Sequence, residues 1–417
     1  MIRLIIKLIC FFIPIKSWRK KCRKHINKYV EYIECKHIKN NYTQVIKKIK
    51  QKVKNNQKIK VAFLVSERQK WNCQQLYEKL EKSNIFEPMV LVTNIKGREK
   101  ELKLNYDFFK NLNINVDWAY KDDKYIDLSV FNIDILFYQQ PWEINKKQNI
   151  KNTSKFALSM YIPYAITNTY YSSNTYYKYF LECLHTYFIV NKTEKYNFIN
   201  NISNKINFKI TGHPKLDVYF DNKEYEKKYI IYAPHHSFEK EGLRYATFEW
   251  NGKEILEFAK KHKELNWVFK PHPRFKYSVV SNGILTQEEC DKYFKDWEEI
   301  GLVYDSGNYF DLFKQSKCLI TDCGSFLIEY FPIQNPVIVP ISKDSKGRTN
   351  LANDILNSYY KVYNIGELNK CLEDVVLNNN DYMKNIRIEY LEKYKDVFNT
   401  NASENIINYL MDIINAK

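Results

Sequence analysis

The chain has 417 residues, 45 % of them hydrophobic and 27 % charged, enough material for two or three domains with buried cores and too apolar for a disordered chain. Lysine and arginine exceed the acids by a net +17, which draws polyanions such as nucleic acid, anionic lipid or phosphate-bearing substrates without choosing among them. No two of its ten glycines are two residues apart, which excludes the G-x-G-x-x-G dinucleotide fingerprint, and its nine cysteines never form C-x-x-C, which excludes a zinc ribbon or thioredoxin-like site and fits reduced thiols.

In chain order, residues 4–15 are apolar but broken by Lys7 and, at about a dozen residues, short of the roughly 20 that span a bilayer. A basic cluster with a tryptophan follows, Ser17-Trp18-Arg19-Lys20-Lys21-Cys22-Arg23-Lys24, where a signal peptide would carry small residues. Apolar side chains entering the acyl boundary and cations meeting anionic headgroups make a surface anchor. Residues 1–57 are therefore expected to be a basic, amphipathic, helical, membrane-associating segment.

The pattern then becomes strand and helix in alternation. Apolar runs at 58–65, 88–93 and 133–138 predict strands, with helical spacing at Trp71, Leu76 and Leu80. The alternation restarts after a charged connector at 221–228, with strands predicted at 229–233, 267–270, 318–321 and 336–339 and a helix over 252–262. This is the signature of parallel sheets covered on both faces. It predicts two α/β domains, 58–225 and 226–417.

Open parallel sheets place ligands just past their strand ends, and the informative residues sit there. They are Gln139-Gln140-Pro141-Trp142, Thr211-Gly212-His213-Pro214-Lys215, Pro234-His235-His236-Ser237, Pro271-His272-Pro273-Arg274 and Asp322-Cys323-Gly324-Ser325. Four of the eight histidines fall at such ends beside prolines; there an imidazole either accepts a proton from a hydroxyl or donates a hydrogen bond to a phosphate oxygen. Zinc is the weaker reading, since neighbouring residues of an extended chain face opposite ways and no third ligand lies at a helpful spacing. Asp322 to Ser325 opens a helix and reads either as an anion site or as a simple N-cap. Lys215, Arg244, Lys270 and Arg274 add charge for a diphosphate. Cys323 has no histidine near it in sequence to make it a nucleophile.

Thr211-Gly212-His213-Pro214-Lys215-Leu216-Asp217, Tyr232-Ala233-Pro234, His272-Pro273 and Leu319-Ile320-Thr321-Asp322-Cys323-Gly324-Ser325, in this order, resemble the CDP-glycerol glycerophosphotransferase family of bacterial cell-surface polymer enzymes over roughly residues 130–340. The resemblance implies an α/β, GT-B-like fold with two Rossmann-like domains facing a cleft, an acceptor domain followed by a nucleotide-donor domain. It implies a peripheral enzyme on the cytoplasmic face of the bacterial inner membrane, with a CDP-linked donor and a polysaccharide or lipid-linked acceptor, no metal and no cofactor. By the resemblance, His272, Ser325 and the backbone of the Asp322 turn would contact the donor diphosphate; the residues themselves add His235 and His236 beside His272 as catalytic candidates and Gln140, Tyr164, His213, Arg274, Asp322 and Gly324 as substrate-binding ones.

The chain departs from the family pattern in three places. Tyr161-Ile162-Pro163-Tyr164-Ala165 stands where the family has a Trp-His-Gly segment whose histidine looks like the general base. Gly324-Ser325 replaces two serines. Pro234-His235-His236-Ser237 replaces a segment that often carries an arginine. The expected reaction is attack by an acceptor hydroxyl on the β-phosphorus of CDP-glycerol, with CMP leaving and His235 or His236 taking the proton. A nucleotide-sugar glycosyltransferase of the same fold is the rival enzyme. A nucleic-acid partner is not expected, because no RNA-reading signature accompanies the basic charge.

Overall fold

The computed structural model describes residues 16–169, 177–220, 223–239, 242–304, 309–345 and 347–416. They divide into two compact units, the first from the described parts of 1–164, 171–215 and 401–417, the second from those of 165–170 and 216–400.

The first unit is built on seven strands: β1 (Ile59–Val65), β2 (Phe86–Val92), β3 (Val116–Trp118), β4 (Ile135–Tyr138), β5 (Leu158–Tyr161), β6 (Thr186–Ile189) and β7 (Phe208–Ile210). Their order is β3-β2-β1-β4-β5-β6-β7, and every neighbouring pair is parallel. β1 is central and apolar on both faces, as a strand between two helical layers must be; Phe63 stacks on Phe137 of β4 at 5.0 Å.

Two helices far apart in sequence close this unit. The helix Lys16–Lys54 buries one stripe, Ile38, Tyr42, Val45 and Ile49, in the same core as β1, a spacing of three and four residues that lies on one helical face. Tyr42 donates its hydroxyl to the Cys183 carbonyl at 3.0 Å, and Lys52 reaches the buried Asp134 carboxylate at 2.6 Å. The expected N-terminal segment is thus two things. Its far half is part of the first core, while between Lys16 and His37 none of its residues is buried and Trp18, Tyr29 and Tyr32 stand more than half exposed among lysines and arginines. Residues 4–15 lie outside the described residues. The last helix, Ala402–Asn415, also joins the first core through Ile406, Leu410 and Ile414, where the sequence reading ran the second domain to the C-terminus. Among the described residues no helix is long and apolar enough to cross a membrane.

The second unit has six strands: β8 (Tyr229–Ala233), β9 (Trp267–Phe269), β10 (Leu302–Val303), β11 (Ser316–Thr321), β12 (Val337–Pro340) and β13 (Tyr360–Val362). They lie in the order β10-β9-β8-β11-β12-β13, all parallel. Tyr232, Phe269, Trp267 and Trp297 fill one face, with Phe269 on Trp297 at 5.1 Å and 10°. In both sheets the chain winds outward from the first strand one way and then from the fourth the other way. A crevice opens at the carboxyl ends where the direction switches, between β1 and β4 and between β8 and β11.

Candidate active site

The carboxyl ends of β9, β8 and β11 are adjacent at the second switch, and the three histidine-bearing and small-residue turns leave from them. Asp322, one residue past β11, organises the group. One carboxylate oxygen accepts the His235 backbone N–H at 2.6 Å, and the other accepts the Thr247 N–H and hydroxyl, both at 2.7 Å. Burial pushes its carboxyl up to about 6, against the pull of these hydrogen bonds. The carboxylate is fully engaged by protein donors, so Asp322 positions the 235–247 loop instead of facing a ligand. Thr321 ties the same strand end to β8 by donating to the Ala233 carbonyl at 2.6 Å.

His235, His236 and His272 come together. Ring centroids are 4.6 Å apart for His235 and His236, 5.3 Å for His235 and His272, and 4.0 Å for His236 and His272. His235 Nδ1 accepts the Ser237 backbone N–H at 3.2 Å, with the Ser237 hydroxyl at 2.8 Å; His272 Nδ1 accepts the Arg274 N–H at 3.1 Å. A ring nitrogen that accepts an N–H carries no hydrogen, so this network assigns both neutral rings the Nε2–H tautomer. His236 Nδ1 is buried without a partner among the described residues. Desolvation, reinforced by the neighbouring imidazoles and by Lys270 and Arg274, holds His272 down at about 2. Desolvation and the neighbouring His236 imidazole hold His235 at about 3; desolvation and Arg274, opposed by Glu239, hold His236 at about 4. All three rings are neutral at pH 7.

The ligating atoms of these histidines lie within 4.8 Å of one another, which corrects the expectation that no third ligand was at hand: β9 supplies it, about 36 residues along the chain but one strand away in the sheet. A metal nevertheless needs a lone pair from each ring. With Nδ1 engaged and Nε2 protonated, His235 and His272 offer N–H groups, which suit an anion.

Gly324 has no room for a side chain: a Cβ there would meet Asn168 Nδ2 at 2.6 Å and Tyr245 Cε2 at 2.8 Å. Ser325 is half-buried, its hydroxyl 3.4 Å from the Cys323 sulfur, and burial raises the Cys323 thiol, which leaves it no nucleophile. Arg274 is exposed at the mouth. Lys270 is buried over the rings of Tyr309, Phe326 and Tyr304 at 4.8, 5.3 and 5.6 Å. Arg244 pairs with Asp344 at 3.1 Å.

The other expected residues belong to the first unit. His213 joins no cluster: its Nε2–H donates to the Pro163 carbonyl at 2.9 Å and its Nδ1 accepts the Lys215 N–H at 3.2 Å. Both nitrogens are consumed in fastening β7 to β5, and desolvation holds the ring at about 3. Gln140 and Tyr164 meet at the first switch point around Lys70, which sequence reading passed over. Lys70 donates to Gln140 Oε1 at 2.7 Å, pairs with Glu67, and sits 5.4 Å from both the Trp142 and Tyr164 rings; burial lowers it to about 8, with Glu143 opposing. Tyr245, Thr247 and Arg348 were likewise missed, since a 235–247 loop and a polar 341–349 loop carry no spacing signal.

The CDP-Glycerol:Poly(glycerophosphate) glycerophosphotransferase family pattern matches residues 164–412. The chain belongs to this family. It is an enzyme of the CDP-glycerol glycerophosphotransferase type, built as a GT-B-like pair of Rossmann-like units. A variant of the wall teichoic acid polymerase TagF has a similar structure, with TM-score 0.55, 15 % identity, and 93 % of this chain and 98 % of that one covered. The same variant soaked with CDPG gives TM-score 0.55, 14 % identity and coverage of 93 % and 97 %. UDP-GlcNAc 2-epimerase from Neisseria meningitidis bound to UDP-GlcNAc reaches TM-score 0.53 at 15 % identity over 85 % of this chain and 100 % of that one. At these identities the structures share the fold. No curated protein matches the sequence.

Proposed function

We propose that the enzyme transfers glycerol phosphate from CDP-glycerol to a hydroxyl of a cell-surface polysaccharide or lipid-linked acceptor and releases CMP. The observation that carries this reading is the meeting of three neutral imidazoles at the switch point of the second sheet. Two of them have Nδ1 locked as an acceptor, so that Nε2–H remains for a diphosphate. Phosphoryl transfer asks the protein for little beyond positioning and charge stabilisation. The acceptor oxygen attacks the β-phosphorus, the bond to the CMP oxygen breaks with its electron pair, and the acceptor proton passes to a base. His236 suits that task because its Nδ1 lone pair has no protein donor. A diphosphate alongside would raise its affinity for the proton.

Lys70, Gln140, Trp142 and Tyr164 of the first unit form an aromatic and polar set fitted to a hydroxylated acceptor. The exposed, basic first turns of the N-terminal helix, with Trp18 65 % exposed, support docking on an anionic membrane surface at the cytoplasmic face of the bacterial inner membrane.

The test offers purified enzyme CDP-glycerol, other CDP-alditols and UDP-, GDP- and CMP-sugars, following nucleotide release and melting temperature. Release of CMP from CDP-glycerol, reduced at least a hundredfold in His272→Asn and in His236→Asn, is the expected result. Turnover confined to a nucleotide sugar would overturn it in favour of glycosyl transfer.

A further inference from the structure

Arg348 follows β12 in the loop that leads to the helix Asn350–Asn357. It is 8 % exposed, its guanidinium lies 4.3 Å from the centre of the Tyr245 ring, and its Nε is buried with no hydrogen-bond partner. Among the described residues no carboxylate pairs with it. Asp322 is the nearby acid whose charge it feels, but both Asp322 oxygens are taken by His235 and Thr247. A buried guanidinium Nε–H with no acceptor carries a desolvation cost, and native proteins pair such groups.

The position is not slack in the chain. The backbone of Arg348 bridges Thr169, and the next residue, Thr349, donates its N–H to Asn168 O at 3.0 Å and caps the helix Asn350–Asn357 through the Ala352 N–H. The ring that carries the guanidinium is itself part of the site wall. Tyr245 lies 6.2 Å from His235, and it is one of the two side chains that keep position 324 a glycine.

We propose that Arg348 is a phosphate-binding residue of this site, held on the Tyr245 face so that its fork of N–H groups takes oxygens of the donor diphosphate. The planar guanidinium matches a phosphate in a bidentate manner and tolerates an aromatic face better than an ammonium does. For the identity of its ligand the inference rests on the donor proposed above; for the anion it rests on the buried, unpartnered Nε and its seat on Tyr245 beside His235.

The experiment compares the wild type with Arg348→Met and Arg348→Lys by thermal melting alone and with inorganic pyrophosphate, CDP-glycerol or cytidine. Without ligand, Arg348→Met is expected to melt at or above the wild type, because an unpaired buried charge is replaced by an apolar chain of similar length. A lower melting temperature would mark a structural arginine and overturn the proposal. Pyrophosphate is expected to stabilise the wild type and to need about ten to a hundred times more concentration for Arg348→Met, with Arg348→Lys between them and cytidine indifferent to the change. Equal pyrophosphate affinities would overturn the proposal too. An Arg348-dependent pyrophosphate response in an enzyme that ignores CDP-glycerol keeps the anion site and removes the donor reading. CDP-glycerol turnover by Arg348→Met at the wild-type kcat/KM does the reverse.

Discussion

Acid should unfold the second unit early, and the size of the effect follows from its three histidines. The perturbation is a shift from pH 7 to pH 5. An unfolded histidine titrates near 6.5, whereas burial holds His235, His236 and His272 at about 3, 4 and 2. A folded value below the unfolded one means that the unfolded chain binds more protons between the two. Stability is then complete above 6.5 and falls as the pH drops through the window toward the folded values. By pH 5 each ring has cost about 2 kcal/mol at 1.36 kcal/mol per unit. Asp322 runs the other way: its folded carboxyl at about 6 takes a proton before the unfolded one does, returning about 1 kcal/mol over the same interval. The net loss is about 4–5 kcal/mol, comparable to the whole stability of a weakly stable domain. The assay is urea unfolding at pH 7, 6, 5.5 and 5, followed by tryptophan fluorescence, which reports Trp267 and Trp297 of this core. A midpoint that is constant from pH 7 to pH 5 would refute the reasoning, since it would require the three rings to titrate normally. His272→Asn should flatten the pH dependence by about two fifths.

The remaining expectations use other parts of the molecule. Asp322→Asn puts an amide N–H against the N–H groups of His235 or Thr247 and is expected to lower stability by about 1–3 kcal/mol and to weaken pyrophosphate binding as the loop loosens, both read by melting curves. Ile49→Ala, in the stripe that docks the N-terminal helix, should cost about 2–5 kcal/mol; an unchanged melting temperature would mean that the helix does not hold this core together. Reversing Arg19, Lys20, Lys21 and Lys24 to glutamate should abolish sedimentation with vesicles containing phosphatidylserine while leaving pyrophosphate stabilisation intact. Calorimetric titration of pyrophosphate at pH 6 in buffers of different ionisation enthalpy should show net proton uptake, because an anion beside neutral imidazoles raises their affinity for protons.

The strands legible from sequence were those with continuous apolar runs, β1, β2, β4, β8, β9, β11 and β12, whose burial on both faces leaves nothing polar to interrupt the pattern. Three of the four edge strands, β3, β10 and β13, and the interior β5 and β6 were not. β3, β10 and β13 have two or three residues each, too few to show a period, and the four-residue β5 and β6 blend into their flanking loops. The site was legible at strand ends, because parallel sheets put ligands there. It was illegible where tertiary contacts decide the role of a residue. His213 reads like His272, each preceding a proline and accepting the N–H two residues on; only the Pro163 carbonyl at 2.9 Å separates a histidine that holds two strands together from one that remains available. Asp322 reads as a ligand and is a brace. Arg348 reads as one more cation in a solvated loop, and only its burial says otherwise.

The division of labour between Arg348 and the histidines has a physical logic. A fixed charge on the diphosphate binds substrate and product alike, and binding them equally adds nothing to the rate of the chemical step. Neutral imidazoles behave differently, because their N–H groups strengthen as the neighbouring phosphoryl oxygens gather negative charge and their proton affinity rises with that charge. If Arg348 holds the diphosphate as proposed, the arginine would anchor the donor while the three rings held neutral by burial would respond to the transition state.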